Sequence, residues 1–515
     1  MHPSHSEVHN RLADTRQLGL FAALASLSWV FWVVGGMELV ERLAFYGVKA
    51  VATLYAKSPA SEGGLGVTLT EFGYILTVWA FVQTFVPVFT GGLSDRFGYK
   101  ETIFASTVIK IIAYLVMAFF PTYWGFFAGA VILAIGTGIF KPGIQGTLVN
   151  ATHRKNSSMA WGVFYQTVNI GGWMGPLLAA KLRVLSWEHL FFACAAIISL
   201  NFLLLLLYKE PGKEERLARL EARRRQGETE PPLWKAAWQE LKNPVLAWYM
   251  VLFSGFWFMF NAFFDVLPAY IDDWVDTSVI VHSLFGPAGT DNMTARFFLG
   301  MNSATTISPE GLLNLNAGLI MLTCFLFAAL SAKMRAPTSI LVGTLLATAA
   351  LFIIGSFSWA WYMVAGILLF SVGEMLSSPK SSEFIGNIAP PDKVGMYLGF
   401  TQFPIGIGWT LEGAIAPRLY DIFSSKDHFS RELMLERGMD PAQVAAIPQG
   451  EAFQRLVEFT GQNAQELTQL LYQSHNVGMG WYIMGFVGAA TCVGLFFYSR
   501  WIYRLARLQQ AQPTS

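Results

Sequence analysis

The feature that most constrains the fold of this chain is a series of apolar stretches separated by polar segments. Each stretch has about 20 residues, which is the length that a helix needs to cross the hydrocarbon core of a bilayer. We count twelve of them, near residues 20–47, 69–91, 101–120, 124–146, 159–181, 188–208, 245–270, 313–332, 337–356, 359–379, 395–420 and 477–503. The sequence therefore predicts an all-α membrane protein with twelve transmembrane helices.

The composition of the 515 residues supports this class, because 54% are hydrophobic and only 13% are charged. A net charge of +1 gives no field that would attract nucleic acid, so we expect no nucleic-acid partner. We find no nucleotide-binding loop, nucleophile motif or metal-ligand spacing, and we therefore expect no enzyme activity, cofactor or metal site. Three cysteines lie far apart in apolar stretches and predict buried thiols rather than disulfides: Cys194, Cys324 and Cys492.

A charged segment divides the apolar stretches into six and six. The predicted parts are a tail at 1–19, an N-terminal six-helix bundle at 20–208, a linker at 209–244, a C-terminal six-helix bundle at 245–503 and a tail at 504–515. Lysine and arginine accumulate in the loops on the side of the linker, which the positive-inside rule assigns to the cytoplasm. We therefore expect both termini in the cytoplasm, and the short loops favour a bacterial inner membrane.

Two longer polar insertions interrupt the C-terminal bundle on the opposite side. The first, at 272–312, is rich in Gly, Ser, Thr and Asn and predicts a loop. The second, at 421–476, has helical periodicity and predicts a small extracytoplasmic cap. Either insertion could gate access to the interior or be a peripheral addition, and we favour the peripheral addition.

Three charged residues stand inside the first apolar stretch, at Glu38, Glu41 and Arg42. An ionised group at the bilayer centre costs at least ~3 kcal/mol on insertion scales, so such groups persist where they pair or line a pathway. Glu38 and Arg42 are four residues apart and share a helix face. The pattern indicates a proton-titrating device in a transporter, and the alternative is a short interfacial or soluble amphipathic helix.

A turn signature follows the second apolar stretch, in the segment Gly91-Gly-Leu-Ser-Asp-Arg-Phe-Gly-Tyr-Lys100. Its glycines suit a tight turn and close helix approach. The segment resembles the loop signature of the major facilitator superfamily, which implies a fold of two six-helix halves. The residues that carry this resemblance are Gly91, Gly92, Asp95, Arg96, Gly98 and Lys100.

Four further motifs resemble those of the proton-dependent oligopeptide transporter family, and they occur in the family's order. They are the Glu-x-x-Glu-Arg-x-x-Phe-Tyr-Gly of residues 38–47, the Gly-x-Gly-x-x-Lys-Pro of 136–142, the Phe-Tyr-x-x-x-Asn-x-Gly of 164–171 and the Gly-Glu-x-x-x-Ser-Pro of 373–379. This resemblance implies a proton symporter that imports di- and tripeptides. It implies proton coupling by Glu38, Glu41, Arg42 and Lys141, and substrate contact by Tyr46, Lys49, Lys141, Asn169 and Glu374.

The seventh apolar stretch departs from the family, because Asn261 stands where members commonly carry an acidic residue. Asp265 lies one turn further on the same face and could replace that carboxylate in proton coupling or belong to the outer gate, while Asn261 remains a candidate for substrate contact. The departure weakens the inference that the cargo is a peptide.

The residues support a zwitterionic cargo independently, since Lys141 and Lys49 in the first half and Glu374 in the second supply opposite charges. The expected partners are a small solute, protons and the lipid bilayer, and we expect a monomer. Purely structural roles for Lys141, Glu374, Asn169 and Tyr46 stay open. Two other functions also stay open: import or export of a sugar, nucleoside, anion or drug, and a non-transporting membrane sensor.

Overall fold

The computed structural model describes residues 20–152, 157–214, 217–218, 221, 239–332, 334–388, 397 and 399–511. Twelve helices of 18 residues or more occur in this part of the chain. They are α1 Trp29–Lys49, α2 Leu69–Phe97, α3 Tyr99–Phe119, α4 Tyr123–Asn150, α5 Ser157–Leu182, α6 Trp187–Leu206, α7 Pro244–Asp265, α8 Leu315–Ala332, α9 Ala336–Ser356, α10 Ala360–Ile388, α11 Gln402–Phe423 and α12 Met479–Ala511. The predicted all-α, twelve-helix fold class is confirmed.

Polar residues set where several of these helices begin. The first apolar stretch is broken, because a separate helix ends at Ala25 and Ser28 then caps α1 by accepting a hydrogen bond from the Phe31 amide. The predicted span from residue 20 is therefore wrong at its start by nine residues, since Ser28 supplies the side-chain acceptor that favours a helix start at this position. Thr68 and Glu71 form a capping box at the start of α2.

Eight of the twelve helices are apolar and long enough to cross a membrane by composition alone, among the residues that the structure describes. Helix α1 is not one of these eight, and it carries Glu38, Glu41, Arg42 and Lys49. Because these charges pair inside the bundle, α1 can still cross the bilayer. The chain is an integral membrane protein.

The same five helix pairings occur in each half of the molecule. Helix α1 packs on α5 and α6, α3 on α4 and α6, and α2 on α4, while the helices six positions later pair in the same way. The two bundles meet along α2 with α11 and along α5 with α8. This pseudo-symmetry is typical of transporters that are built from repeated halves.

Both insertions fold into short helices at one end of the bundle. The first contains Ser278–Phe285, Met293–Phe298 and Pro309–Leu313, so the prediction of a loop over 272–312 is wrong for those segments. A serine cap and a proline at the first helical position begin the last of them, which composition alone did not indicate. The second insertion forms four helices between residues 426 and 474, which we call the cap. We call this side of the bundle the cap end and the opposite side the linker end.

Candidate functional site

The charged residues of α1 form a buried cluster in the N-terminal bundle. The Arg42 Nε atom lies 3.0 Å from Glu38 Oε1 and 2.6 Å from Glu41 Oε2. All three side chains are nearly inaccessible to solvent. Buried charges persist when they are paired, so the helix spacing of these residues keeps three ionisable groups inside the bundle.

Lys110 of α3 completes this cluster, and the sequence motifs did not identify it. Its Nζ atom lies 2.5 Å from Glu41 Oε1, and its side chain is fully buried. The Phe140 ring lies 4.2 Å from the same ammonium, which adds a cation–π contact. The available signal was a single lysine in the middle of an otherwise apolar helix. Glu41 is therefore held between two cations, Arg42 and Lys110.

Lys141 of α4 lies close enough to interact electrostatically with Glu38, Glu41 and Arg42. It forms no ion pair within 4 Å with any other described residue and is only partly buried. Proline at the next position removes one backbone donor from the helix at this depth. Lys141 is thus a cation beside the cluster whose charge is not fully compensated.

Tyr46 connects this cluster to the C-terminal bundle. The Arg42 guanidinium lies 5.9 Å from the centre of the Tyr46 ring, and Glu374 of α10 is within electrostatic range of the tyrosine hydroxyl. Glu374 accepts a hydrogen bond of 3.0 Å from Asn316 Nδ2, which also donates to Ser371 Oγ. Asn316 lies at the start of α8 and belongs to none of the predicted motifs, so sequence reasoning missed it. Glu374 is therefore a partly buried carboxylate with an amide donor rather than a cation.

Helix α5 contributes polar groups to the interface with α8. Asn169 donates to the Tyr165 carbonyl one turn earlier, with its Nδ2 atom 3.1 Å away. Gln166, which the motifs did not single out, donates across the two bundles to the Met321 carbonyl at 3.0 Å. The predicted substrate residue Asn169 thus lies beside a direct polar contact between the halves.

Lys49 and Asp265 join the two bundles between the central charges and the cap end. They form a buried ion pair between α1 and α7, and Trp409 of α11 donates to the second oxygen of Asp265 at 3.0 Å. Asn261 donates instead to the carbonyl of Trp257 on its own helix, at 2.7 Å. Of the two candidates on α7, Asp265 is the one that contacts the N-terminal bundle.

A second layer of ion pairs lies further toward the cap end. Lys57 Nζ lies 2.8 Å from Asp272 and 2.6 Å from Asp273. Burial opposes ionisation of Asp272, but Lys57 outweighs it and holds the pKa of Asp272 below its usual range. Lys426 approaches Asp273 from the start of the cap, with its Nζ atom 3.1 Å from the Asp273 carbonyl.

The first insertion contacts the N-terminal bundle through several polar side chains. Arg183 at the end of α5 binds Glu310 with two hydrogen bonds, of 2.6 and 3.1 Å. Lys181 donates to the Met301 carbonyl, and the Asn314 amide donates to the Trp173 carbonyl at 2.8 Å. The cap also touches this bundle, since Ser61 hydrogen bonds to Glu451. Both insertions therefore contact the N-terminal bundle, which composition did not reveal, and whether either of them gates access stays a prediction to be tested.

The turn signature lies at the linker end. Gly91, Gly92, Asp95 and Arg96 fall in the last turns of α2, and their side chains lie outside the described residues. Gly98 adopts a φ of 120° between α2 and α3, a value that favours glycine. Lys100 then donates to the Tyr208 carbonyl at 2.8 Å, which fixes the start of the linker to α3. Most of the linker 209–244 lies outside the described residues.

The ion pairs that join the two bundles indicate at which end the molecule is closed. Among pairs formed between described residues, those that join the two bundles are Lys49–Asp265, Lys57 with Asp272 and Asp273, and Arg183–Glu310. All of them lie between the central charges and the cap end. The structure is therefore a conformation closed at the cap end.

The two bundles with their repeated helix pairings and the buried charges define the class of protein as a two-bundle membrane transporter. The profile of the Major Facilitator Superfamily matches residues 43–411. The chain belongs to the Major Facilitator Superfamily. This membership agrees with the loop signature of residues 91–100 and confirms the predicted fold.

Individual relatives are more distant. "Uncharacterized transporter YclF" of Bacillus subtilis is 26% identical over 35% of this chain and 37% of its own length. "Peptide transporter YePEPT" of Yersinia enterocolitica is 27% identical over 29% of this chain and 31% of its own length. The chain thus matches about a third of the length of these curated relatives. A solved peptide transporter POT in complex with sulfate superposes with a TM-score of 0.64, at 14% identity, over 97% of this chain and 99% of that chain.

Proposed function

We propose that this protein is a proton-coupled symporter that imports di- and tripeptides or similar zwitterionic solutes by alternating access. The proposal is based on one observation: Lys141 and Glu374 lie in opposite bundles, and the charge of each is incompletely compensated. Lys141 has no ion-pair partner within 4 Å among the described residues, and Glu374 has an amide donor where a cation would neutralise it. A zwitterion satisfies both charges, because its carboxylate meets the ammonium and its amino group meets the carboxylate.

This arrangement couples cargo to closure of the bundles. A solute that binds Lys141 of α4 and Glu374 of α10 bridges the N-terminal and C-terminal halves. Rocking of the two halves about a site at mid-depth is the usual motion of such transporters. The likeness to YePEPT and to the solved peptide transporter supports a peptide as the cargo.

Proton coupling rests on the shared charge network of α1. Lys141 interacts with Glu38 and Glu41, so a substrate carboxylate that binds Lys141 removes a positive charge from the network. Protonation of one of the α1 carboxylates changes the same balance. Proton load and substrate load are thereby linked in both directions.

The orientation follows from basic residues at the linker end. Lys100 lies at the linker end, and Lys209, Lys213 and the arginines of residues 216–225 belong to the adjoining linker sequence. We assign this end to the cytoplasm of a bacterial inner membrane, with both termini inside and the cap outside. The rocking units are then residues 20–208 and 245–503, and one chain contains the complete site, so we propose that it works as a monomer.

The test is uptake of radiolabelled dialanine by purified protein in liposomes with an inward proton gradient, with internal pH recorded in the same sample. We expect peptide and protons to enter together and tripeptides to compete. Lys141→Ala and Glu374→Gln should abolish uptake and counterflow. Glu383→Gln on α10 is the matched control, since this exposed carboxylate pairs with Lys380.

Other outcomes assign other functions. If another solute and not dialanine drives a pH change, the fold is a transporter of different cargo. If wild-type counterflow persists in Lys141→Ala, that lysine is not part of the binding site. If no solute moves and no pH change occurs, the protein is a membrane sensor and the proposal is wrong.

A further inference from the structure

Glu412 of α11 is a fully buried carboxylate without a hydrogen-bond donor. Its exposed fraction is 0%, and neither Oε1 nor Oε2 has a donor among the described residues. Glu412 lies one turn beyond Trp409 on the same face of α11, and Trp409 donates to the Asp265 carboxylate of α7 at 3.0 Å. Glu412 is therefore on the face of α11 that packs on α7, where Asp265 acts on it electrostatically. None of the sequence motifs contains this residue, and it does not belong to the α1 cluster.

Asp265 has no spare donor to offer. Its Oδ1 atom accepts from Lys49, and its Oδ2 atom accepts from the Trp409 indole at 3.0 Å. Two ionised carboxylates have only acceptor oxygens, so they cannot bond to each other. One proton between them supplies the missing donor and removes one of the two adjacent negative charges.

Among the described residues, no unengaged cation lies beside Glu412, so the shared proton must compensate its charge. Helix α11 packs against α2, α7 and α12. The charged groups that act on Glu412 are Asp265 on α7 and Lys49 on α1, and among the described residues α2 and α12 contribute none. The Lys49 ammonium is already engaged by Asp265 and lies 4.6 Å from the Trp409 ring. One cation thus faces two carboxylates in a site without other charges.

We propose that Glu412 and Asp265 hold one proton between them, and that this pair is a proton-binding site of the C-terminal bundle. The inference deepens the proposed proton-coupled function and rests on it for its role in transport. Water delivers the proton to a carboxylate oxygen and later takes it back, so the only bonds that form and break are O–H bonds.

The site couples this proton to closure of the cap end. With the proton bound, Lys49, Asp265 and Glu412 sum to zero charge when α1 meets α7. Without it, closure buries a net negative charge, which is strongly unfavourable in a low-dielectric site. Acid on the cap side therefore favours the closed cap end, and loss of the proton favours its opening.

The first test needs no substrate. Infrared spectra of the protein in lipid report the C=O stretch of a neutral carboxylic acid. We expect part of this band to be lost in Glu412→Gln and retained in Glu412→Asp and in the exposed control Glu383→Gln. Asp265→Asn should lose it as well, because the new amide donates to Glu412 and the shared proton is no longer required. An unchanged band in both Glu412→Gln and Asp265→Asn would overturn the proposal, even if one of the two variants were poorly folded.

The second test measures counterflow exchange of dialanine at varied external pH. Glu412→Gln mimics the protonated pair, so we expect exchange to continue and its stimulation by external acid to be lost. Acid stimulation equal to that of the wild type would contradict the proposed role in closure. If the wild-type protein moves no peptide, the proposed cargo fails, while the infrared result still decides whether the proton pair exists.

Discussion

Lys110 of α3 and Glu41 of α1 form a fully buried ion pair, with Nζ 2.5 Å from Oε1. Arg42 contacts the other oxygen of Glu41 at 2.6 Å, whereas Glu38 contacts Arg42 alone at 3.0 Å. Two cations in direct contact therefore favour the ionised form of Glu41, whereas one cation is in direct contact with Glu38, and Lys141 acts on both carboxylates from a greater distance. Glu38 is the α1 carboxylate that can accept a proton with the smaller electrostatic loss.

We first predict that Glu38→Gln and Glu41→Gln have different effects. Glu38→Gln should abolish gradient-driven uptake of dialanine and leave counterflow intact, because exchange needs no net proton movement. Glu41→Gln should instead impair folding, since it leaves Lys110 buried without its carboxylate, at a cost of about 3–5 kcal/mol. Uptake, counterflow and thermal unfolding of the two variants separate these outcomes. Equal loss of counterflow in both would assign Glu38 a structural role.

The second prediction concerns the free energy of unfolding when Lys110 is replaced. Lys110→Met should destabilise the protein by about 3–5 kcal/mol, because Glu41 and Glu38 then face Arg42 alone among the nearest cations. The double variant Lys110→Met, Glu41→Gln should recover most of that loss, since it removes the buried pair as a unit. Lys213→Met is the control, because Lys213 pairs with Glu101 on the surface and its removal should cost about 0–1 kcal/mol. Additive losses in the double variant would show that the two residues are not coupled.

The third prediction separates the two candidates on α7. Asp265→Asn should shift the protein toward an open cap end, because Lys49 loses the carboxylate that it contacts directly across the two bundles, although Glu412 keeps the net charge of the site at zero. Pulsed electron paramagnetic resonance between spin labels on the two bundles at the cap end should then show longer distances. Asn261→Ala should leave the distances unchanged, since Asn261 donates to its own helix. A shift in Asn261→Ala alone would reverse the assignment.

The fourth prediction concerns the pH dependence of the outer ion pairs. Asp272 has a pKa below its ordinary value of 3.8, and the pKa of Lys57 lies above its ordinary 10.5. Burial opposes both shifts, and the pairing of the two residues outweighs it. The ionised Asp272 contributes fully to closure above its ordinary pKa, and this contribution is lost as the pH falls through its lowered pKa. The charged Lys57 contributes fully below its ordinary pKa, and this contribution is lost as the pH rises through its raised pKa. Between about pH 5 and pH 9 both groups therefore stay charged.

Lys57→Gln should accordingly weaken closure by the same amount at every pH in that range. The loss should exceed the value of about 0–1 kcal/mol for a surface pair, because the side chains of Lys57 and Asp273 are only 21% and 12% exposed. The same spin-label distances, measured in pH steps, check this. The response to mild acid should persist in Lys57→Gln, because it arises at Asp265 and Glu412. Its disappearance in Lys57→Gln would place the acid response in the outer layer.

The sequence predicted the features that depend on local pattern. Apolar length predicted the helices, and the spacing of Glu38 and Arg42 predicted their shared face. It did not predict Lys110 as the partner of Glu41, because 69 positions separate them and only the packing of α3 in the bundle brings them together. The position of Glu412 opposite Asp265 depends in the same way on how α7 and α11 are rotated about their axes. Short polar insertions carry still less information, since their contacts with the other bundle leave no periodic signal.

The last prediction tests whether the first insertion takes part in closure. Arg183 and Glu310 form a bidentate pair between α5 and the insertion, and the Glu310 side chain is fully buried. Arg183→Glu should open the cap end and slow counterflow, because two carboxylates would then meet where one is buried, at a cost of about 3–5 kcal/mol. Combination with Glu310→Arg should restore closure in part, whereas Arg455→Glu, in the exposed pair with Glu458, should have no effect on closure. If single and double reversals leave the spin-label distances and counterflow unchanged, the insertion covers the N-terminal bundle without controlling the cap end.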